Sequence, residues 1–246
     1  MEFFGEVVAW FANPATWSGR NGIPIRLWEH VSLSAASLAV GTLIALPVGL
    51  VIGHTGRGAV LAVSIANIGR AIPSLGLLGI VFVPALSLGL GLGFWPSLIA
   101  LVALAIPPIV LNTYVALSEV DRDLVEAARG MGMREGQILT ALEIPIGLPV
   151  ILAGIRTSAV QVVATATLAA VISGGTLGHL ILAGVNTGNE VQVFGAALLV
   201  ALLAIATEIG FGALQRAATS PGLRGREWVP TEPGWQVGQP GGRTAL

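Results

Sequence analysis

The chain has 246 residues, 54% of them hydrophobic and 10% charged, with a mean hydropathy of +0.84 and a net charge of −1. A soluble domain carries about a quarter charged residues, so the composition points to an integral membrane protein with several spans and gives no case for nucleic acid. The absence of cysteine excludes disulfides, thiol catalysis and a Cys-ligated metal, and the length suits one membrane domain without an added soluble one.

Residues 1–27 open with Phe3, Phe4, Val7, Val8, Trp10 and Phe11 among Glu2 and Glu6. Without a basic start this is no signal peptide. It reads as an extracellular, interfacial segment anchored by Trp10 and Trp17. From Val31 to Gly53 no charge appears, and that run spans about 34 Å as a helix, enough to cross. Ser32, Ser34, Ser37 and Gly41 supply small residues for a helix interface.

The second span runs from Ala59 to about Pro84 and is interrupted by Arg70-Ala-Ile-Pro-Ser-Leu75. An Arg in lipid costs at least about 2.5 kcal/mol, so Arg70 must face protein, water or a headgroup. One reading puts Arg70, Pro73 and Ser74 on a translocation path; the other makes Arg70 a membrane-edge residue holding a neighbouring helix. A Gly-rich turn follows at Leu88–Gly93, then a third span over about Trp95–Leu117 with Pro107 and Pro108 inside it. Leu88-Gly-Leu-Gly-Leu-Gly93 is no nucleotide fingerprint, because neither strand–helix context nor a following acid accompanies it. Asn112, Thr113 and Tyr114 either line a path or bond neighbouring helices together.

Residues 118–149 hold three of the twelve cationic residues, all Arg, and six of the thirteen acidic ones. Asp121 reads as an N-cap with Asp123 near the positive helix end. Leu124, Ala128 and Met131 form one apolar stripe. Gly130 and Gly132 end the helix in a left-handed cap. A second short helix is expected over about Arg134–Leu142, stopped by Pro145.

A fourth span covers about Leu148–Ser173, with Arg156 near its start and Thr165 and Thr167 giving it a hydroxyl face. Gly174-Gly175 and His179 fall in an outer loop. A fifth span runs from Val191 to about Phe211, where Glu208 is in reach of Arg216. Residues 216–246 read as a disordered tail. With the N-terminus outside, the inner segments hold Arg57, Arg122, Arg129, Arg134, Arg216, Arg224, Arg226 and Arg243, and the outer ones Arg20 and Arg26. The positive-inside rule then puts residues 118–147 and the C-terminus in the cytoplasm.

Glu126-Ala127-Ala128, Gly132 after three residues, and Leu142-Glu143-Ile144-Pro145 after nine more resemble the EAA loop of ABC-importer permeases. That family has Ile-x-Leu-Pro at the last site, so the two aliphatic residues are exchanged here. The stretches 70–75, 153–159, 165–170 and 172–178 resemble the quaternary-amine branch (glycine betaine, carnitine, choline), although methionine importers carry something similar to the first. The resemblance covers residues 28–215. It implies an all-α membrane protein: five transmembrane helices of the type I importer permease core plus a cytoplasmic coupling helix in the loop 118–147.

By the same resemblance, Glu126, Ala127, Ala128, Gly132, Leu142, Ile144 and Pro145 would serve coupling to an ATPase. Arg70, Pro73, Ser74, Asn112, Tyr114, Arg156, Thr165 and Thr167 would lie on the pathway. The implied partners are an ABC ATPase dimer, a second copy or a sister permease, an extracellular substrate-binding protein and membrane lipid, in a bacterial cell membrane. The chain would need no cofactor of its own, ATP and Mg belonging to the ATPase, since it has no Gly-Lys-Ser/Thr loop and no Lys. A methionine or other amino-acid permease is the alternative. An ion-coupled secondary transporter would need membrane carboxylates, and the spans offer only Glu208.

Overall fold

A computed structural model describes residues 2–219, apart from the side chains of residues 61, 62, 65, 68 and 70. The described residues form helices and turns without a strand: α1 (Glu2–Ala12), α2 (Pro14–Trp17), α3 (Ile23–Thr55), α4 (Ala59–Ala71), α5 (Ser74–Ser87), α6 (Phe94–Ser118), α7 (Arg122–Gly130), α8 (Glu135–Ile138), α9 (Ile144–Thr165), α10 (Thr176–Thr187) and α11 (Glu190–Ala218). A π turn (Leu139–Glu143) joins α8 to α9, and a 3₁₀ turn (Ala166–Ile172) follows α9.

Among the described residues four helical runs are long and apolar enough to cross a membrane: α3, α6, the run from Glu135 to Ile172, and α11. The expected second span is two pieces. Pro73 offers no N–H and drives the preceding residue out of the helical region; Ile72 is accordingly extended at φ −72°, ψ 122°. The pieces α4 and α5 have 13 and 14 residues, each too short to cross alone.

The centre of the fold is α6, with 56% of its apolar span buried against 11% for α11. Its neighbours α3, α9, α4 and α5 surround it, and α11 packs outside on α9. Small residues explain how closely α3 approaches. Gly41, Ala45, Gly49 and Gly53 recur every fourth residue on one buried face. A Cβ added at Gly41, Gly49 or Gly53 would lie 2.7, 2.6 or 2.8 Å from the Cβ of Ala105, Thr113 or Leu117. Without a hydrophobic drive between helices in lipid, such backbone approach is what holds them. The other side of α6 meets α9 in the same way: a Cβ at Gly154 would lie 2.6 Å from Asn112 Cβ, and the Ser158 hydroxyl donates to the Ala105 carbonyl at 3.0 Å. Ser34, Ser37 and Gly41 are buried as expected for an interface, whereas Ser32 is only half-buried.

Several expected boundaries move. The first long helix starts at Ile23, across the expected division at residues 27 and 28, because Pro24 opens it and Arg26 pairs with Glu29 one turn on, at 2.8 Å. Pro145 does not stop a helix. It sits at the second position of α9, where a missing N–H costs little, and the Ile144 N–H reaches the Leu139 carbonyl across the π turn. Residues 176–187 form α10, not a loop, because Leu177 and Leu180 pack with Ile23 and Ala196. The expected tail begins inside a helix, since α11 runs to Ala218; residues 220–246 lie outside the described part. Trp10 packs on protein, its ring covering Gly195 of α11, while Trp17 remains half-exposed and donates its indole N–H to the Phe11 carbonyl at 2.7 Å.

Candidate functional site

The segment between α6 and α9 folds on itself. Asp121 caps α7, its carboxylate accepting from the Asp123 N–H at 2.9 Å. At the other end the Met133 N–H reaches the Ala128 carbonyl at 3.1 Å and the Gly132 N–H reaches the Arg129 carbonyl at 2.9 Å. That pair of bonds is a Schellman cap, and it puts Gly132 at φ +85°, where a Cβ is strained. The chain then restarts, with the Gln137 side chain accepting from the Arg134 N–H at 2.8 Å.

Under α7 lies a nucleus of Val120, Val125, Ala128 and Ile138, flanked by Met133, Leu142 and Ile146. The expected stripe is therefore divided. Ala128 faces inward, but Leu124 and Met131 are 48% and 77% exposed. The rest of the expected coupling set divides likewise: Glu126, Ala127, Gly132 and Pro145 are exposed, whereas Leu142 and Ile144 are half-buried at the root of α9. Small size at Ala128 thus serves the segment's own packing, and Leu124, Ala127 and Met131 supply the outward apolar surface.

Three residues given no role from the sequence meet here: His54 of α3, and Glu135 and Glu143 of the segment itself. His54, at the end of α3, sets Nδ1 2.5 Å from Glu143 Oε2 and Nε2 3.3 Å from Glu135 Oε2. Glu135 also receives Arg129, through Nε at 2.6 Å and Nη2 at 2.9 Å. This bond, and then the charge of Glu135, hold the Arg129 guanidinium above its ordinary range. The only sequence signals were a carboxylate in the aliphatic–Pro motif and a His in a short connector; neither reveals a contact across some ninety residues.

The expected pathway residues whose side chains are described do not gather around one cavity. Pro73 caps α5. Ser74 and Thr165 meet, with Ser97, at a cavity of about 10 Å³, room for one water at most. Asn112 is bound to its own helix, donating to the Pro108 carbonyl at 2.8 Å, and packs on Gly154. Tyr114 is half-buried on α6, and the Thr167 hydroxyl is spent on the Ala164 carbonyl at 2.9 Å. Arg156 pairs with Glu208 of α11 and donates to Gln215 Oε1 at 3.3 Å. The expected pairing of Glu208 with Arg216 is replaced by this one, because α9 and α11 pack side by side. Arg70 falls within α4, and its side chain is outside the described part. A groove of about 620 Å³ between α3, α9 and α11 is lined by Leu38, Leu46, Ile155, Leu203 and Phe211, and by none of the seven whose side chains are described.

Residues 41–220 match the family model described as "Binding-protein-dependent transport system inner membrane component". The carnitine transport permease protein OpuCB of Listeria monocytogenes is 35% identical over 81% of this chain and 89% of its own. The choline transport system permease protein OpuBB of Bacillus subtilis (strain 168) is also 35% identical, over 81% and 89%. The osmoprotectant import permease protein OsmW of Salmonella typhimurium is 36% identical over 80% and 92%. Among solved structures, the MetNI methionine ABC transporter in an inward-facing form matches with a TM-score of 0.71 at 24% identity, over 80% of this chain and 96% of that one. A second crystal form matches at 0.69 and 26%, over 78% and 94%.

Proposed function

The chain belongs to the family of binding-protein-dependent transport system inner membrane components, and from that premise we propose that it is the permease subunit of an ATP-driven importer of quaternary-ammonium osmoprotectants: glycine betaine, carnitine, choline or proline betaine. The observation that carries the cargo class is identity of 34–36% over about four-fifths of the chain to permeases named for those compounds. A methionine cargo is the second reading, favoured by the fold match at a TM-score of 0.71. Uptake of labelled glycine betaine against labelled methionine separates the two.

The chain catalyses no reaction itself. An ATPase dimer below it burns ATP with Mg, a binding protein outside delivers cargo, and a second copy or a sister permease completes the passage. In this reading the broken pair α4–α5 counts as a fifth span, residues 28–215 are the membrane domain, the N-terminus lies outside, and the loop 118–147 and the C-terminus lie in the cytoplasm. The excess of Arg on the inner segments supports that orientation. The segment α7–α8 is the coupling element. Its exposed Leu124, Ala127 and Met131 offer a partner an apolar contact, and the exposed Glu126 offers a charge. ATP-driven closure of the partner moves this segment, and the helices tilt between outward and inward states.

Selection of a quaternary ammonium uses an aromatic cage, and aromatic residues are 6% of this chain. The binding protein therefore does the selecting, and a tight cation site on the isolated permease would contradict this. The coupling assignment is tested by Gly132→Asp and Glu126→Lys. Each leaves the chain inserted in the membrane but separates ATPase stimulation from uptake. Normal uptake by either variant removes that residue from the coupling surface.

A further inference from the structure

The row Glu143–His54–Glu135–Arg129 touches four elements: the π turn, α3, α8 and α7. It begins inside and ends outside. Glu143 is 4% exposed, and a carboxylate so far from water needs a partner. His54 is its partner, with Nδ1 2.5 Å from Glu143 Oε2. Arg129, at the other end, is exposed and stands two residues after the exposed Ala127, across the buried Ala128.

Both ring nitrogens of His54 face carboxylate oxygens. Only the imidazolium donates from both at once; the neutral ring satisfies one. The π turn is what brings Glu143 to the ring. It holds one residue more than an α turn, and one residue rotates a helical side chain by about 100°. Without that insertion the carboxylate would turn away from α3. No packed interface between α3 and α7 or α8 accompanies the row among the described residues, because the apolar nucleus under α7 belongs to the segment itself and the start of α9. Besides Leu139 of the π turn, which shares an apolar cluster with Leu46 and Leu50 of α3, the polar contacts of His54 are what link the segment to α3.

We propose that His54 is a positioning residue for energy coupling: held between Glu143 and Glu135, it ties the α7–α8 segment to the end of α3, so that displacement of the segment is passed to α3 and, through the glycine-faced contact, to α6. This rests on the reading of α7–α8 as the coupling element. Polar contacts are suited to the task. They are directional and short-ranged, so a small rotation of α7 strains them at once. The apolar nucleus under α7 contains no residue of α3 and cannot give that directional hold.

The test uses the complete importer, with its ATPase subunits and binding protein, in proteoliposomes with radiolabelled glycine betaine. ATP hydrolysed per molecule taken up is compared for wild type, His54→Gln and Glu135→Gln, with Gly132→Asp alongside. The expected result is assembly and binding-protein-stimulated ATPase activity in both glutamine variants, with the ATP cost per molecule raised on the order of fivefold. A merely structural role would lower uptake and hydrolysis together and leave the ratio unchanged, which overturns the proposal. If His54→Gln fails to assemble, Glu135→Gln decides, since that side chain is more than half exposed and its loss does not threaten folding. Normal coupling in the glutamine variants with Gly132→Asp uncoupled overturns the role of His54 and leaves the coupling segment standing. Normal coupling in all three overturns both.

Discussion

Gly49→Ala adds one methyl group at the closest of the three glycine contacts between α3 and α6. The new Cβ would stand 2.6 Å from Thr113 Cβ, 2.9 Å from Thr113 Cγ2 and 3.1 Å from the Val110 carbonyl. None of these is the free end of a flexible chain, so α3 and α6 must separate. Overpacking of this kind costs about 1–3 kcal/mol. Alanine is also the better helix former, by about 1 kcal/mol, and that gain obscures the cost in a single variant. Gly210→Ala supplies the reference: Gly210 is inside α11 with nothing within 4 Å of its added Cβ. Propensity cancels between the two variants and leaves the packing term. The difference in thermal midpoint in detergent should be on the order of 2–12 °C, Gly210→Ala being the more stable. Equal midpoints would refute the claim that backbone approach along the glycine face holds α3 to α6.

Three further outcomes are expected. Ser173 is exposed at φ +64°, so Ser173→Gly should relieve about 1 kcal/mol of left-handed strain and raise the midpoint. Arg156→Met or Glu208→Leu alone strands a charge between α9 and α11, whereas the double variant removes both; its midpoint should lie nearer wild type than that of either single variant. His179 sits below its ordinary pKa because burial, and then Arg26, disfavour its cation, against the pull of Glu29. The unfolded chain therefore takes up that proton more readily, and stability falls as pH drops through the histidine range. The drop in midpoint between about pH 7.5 and about pH 5.5 should be smaller for His179→Gln than for wild type.

Hydropathy alone was enough for the long helices, because lipid leaves a buried backbone no other way to pair its polar groups. The break at Pro73, the Asp121 cap and the left-handed Gly132 were equally readable, since each depends on the residue itself. Legibility ended where a contact depends on phase or on distant chain. The face of α7 that turns inward was decided by Ile138 and Val120, not by the periodicity of α7, and so Leu124 and Ala128 part company. The π turn left no signature in the apolar pattern, and with it went any view of Glu143 against His54. Glu208 finds Arg156 because two helices lie alongside each other, whereas sequence proximity suggested Arg216. His179 was lost to a supposed loop because Gly174-Gly175 reads as punctuation and the apolar face of α10 after it is short.

At Gly41, Gly49 and Gly154 the backbones of α3 and α9 stand against Ala105, Thr113 and Asn112 of α6, with no long side chain between them to change rotamer. Contacts so close leave the three helices little room to shift against one another at those points, which favours their turning together. A passage beside them widens if the three pivot together, or if α4, α5 and α11 swing away. The hinge at Ile72-Pro73 is then where compliance is concentrated, and stiffening it would slow opening without loosening anything else.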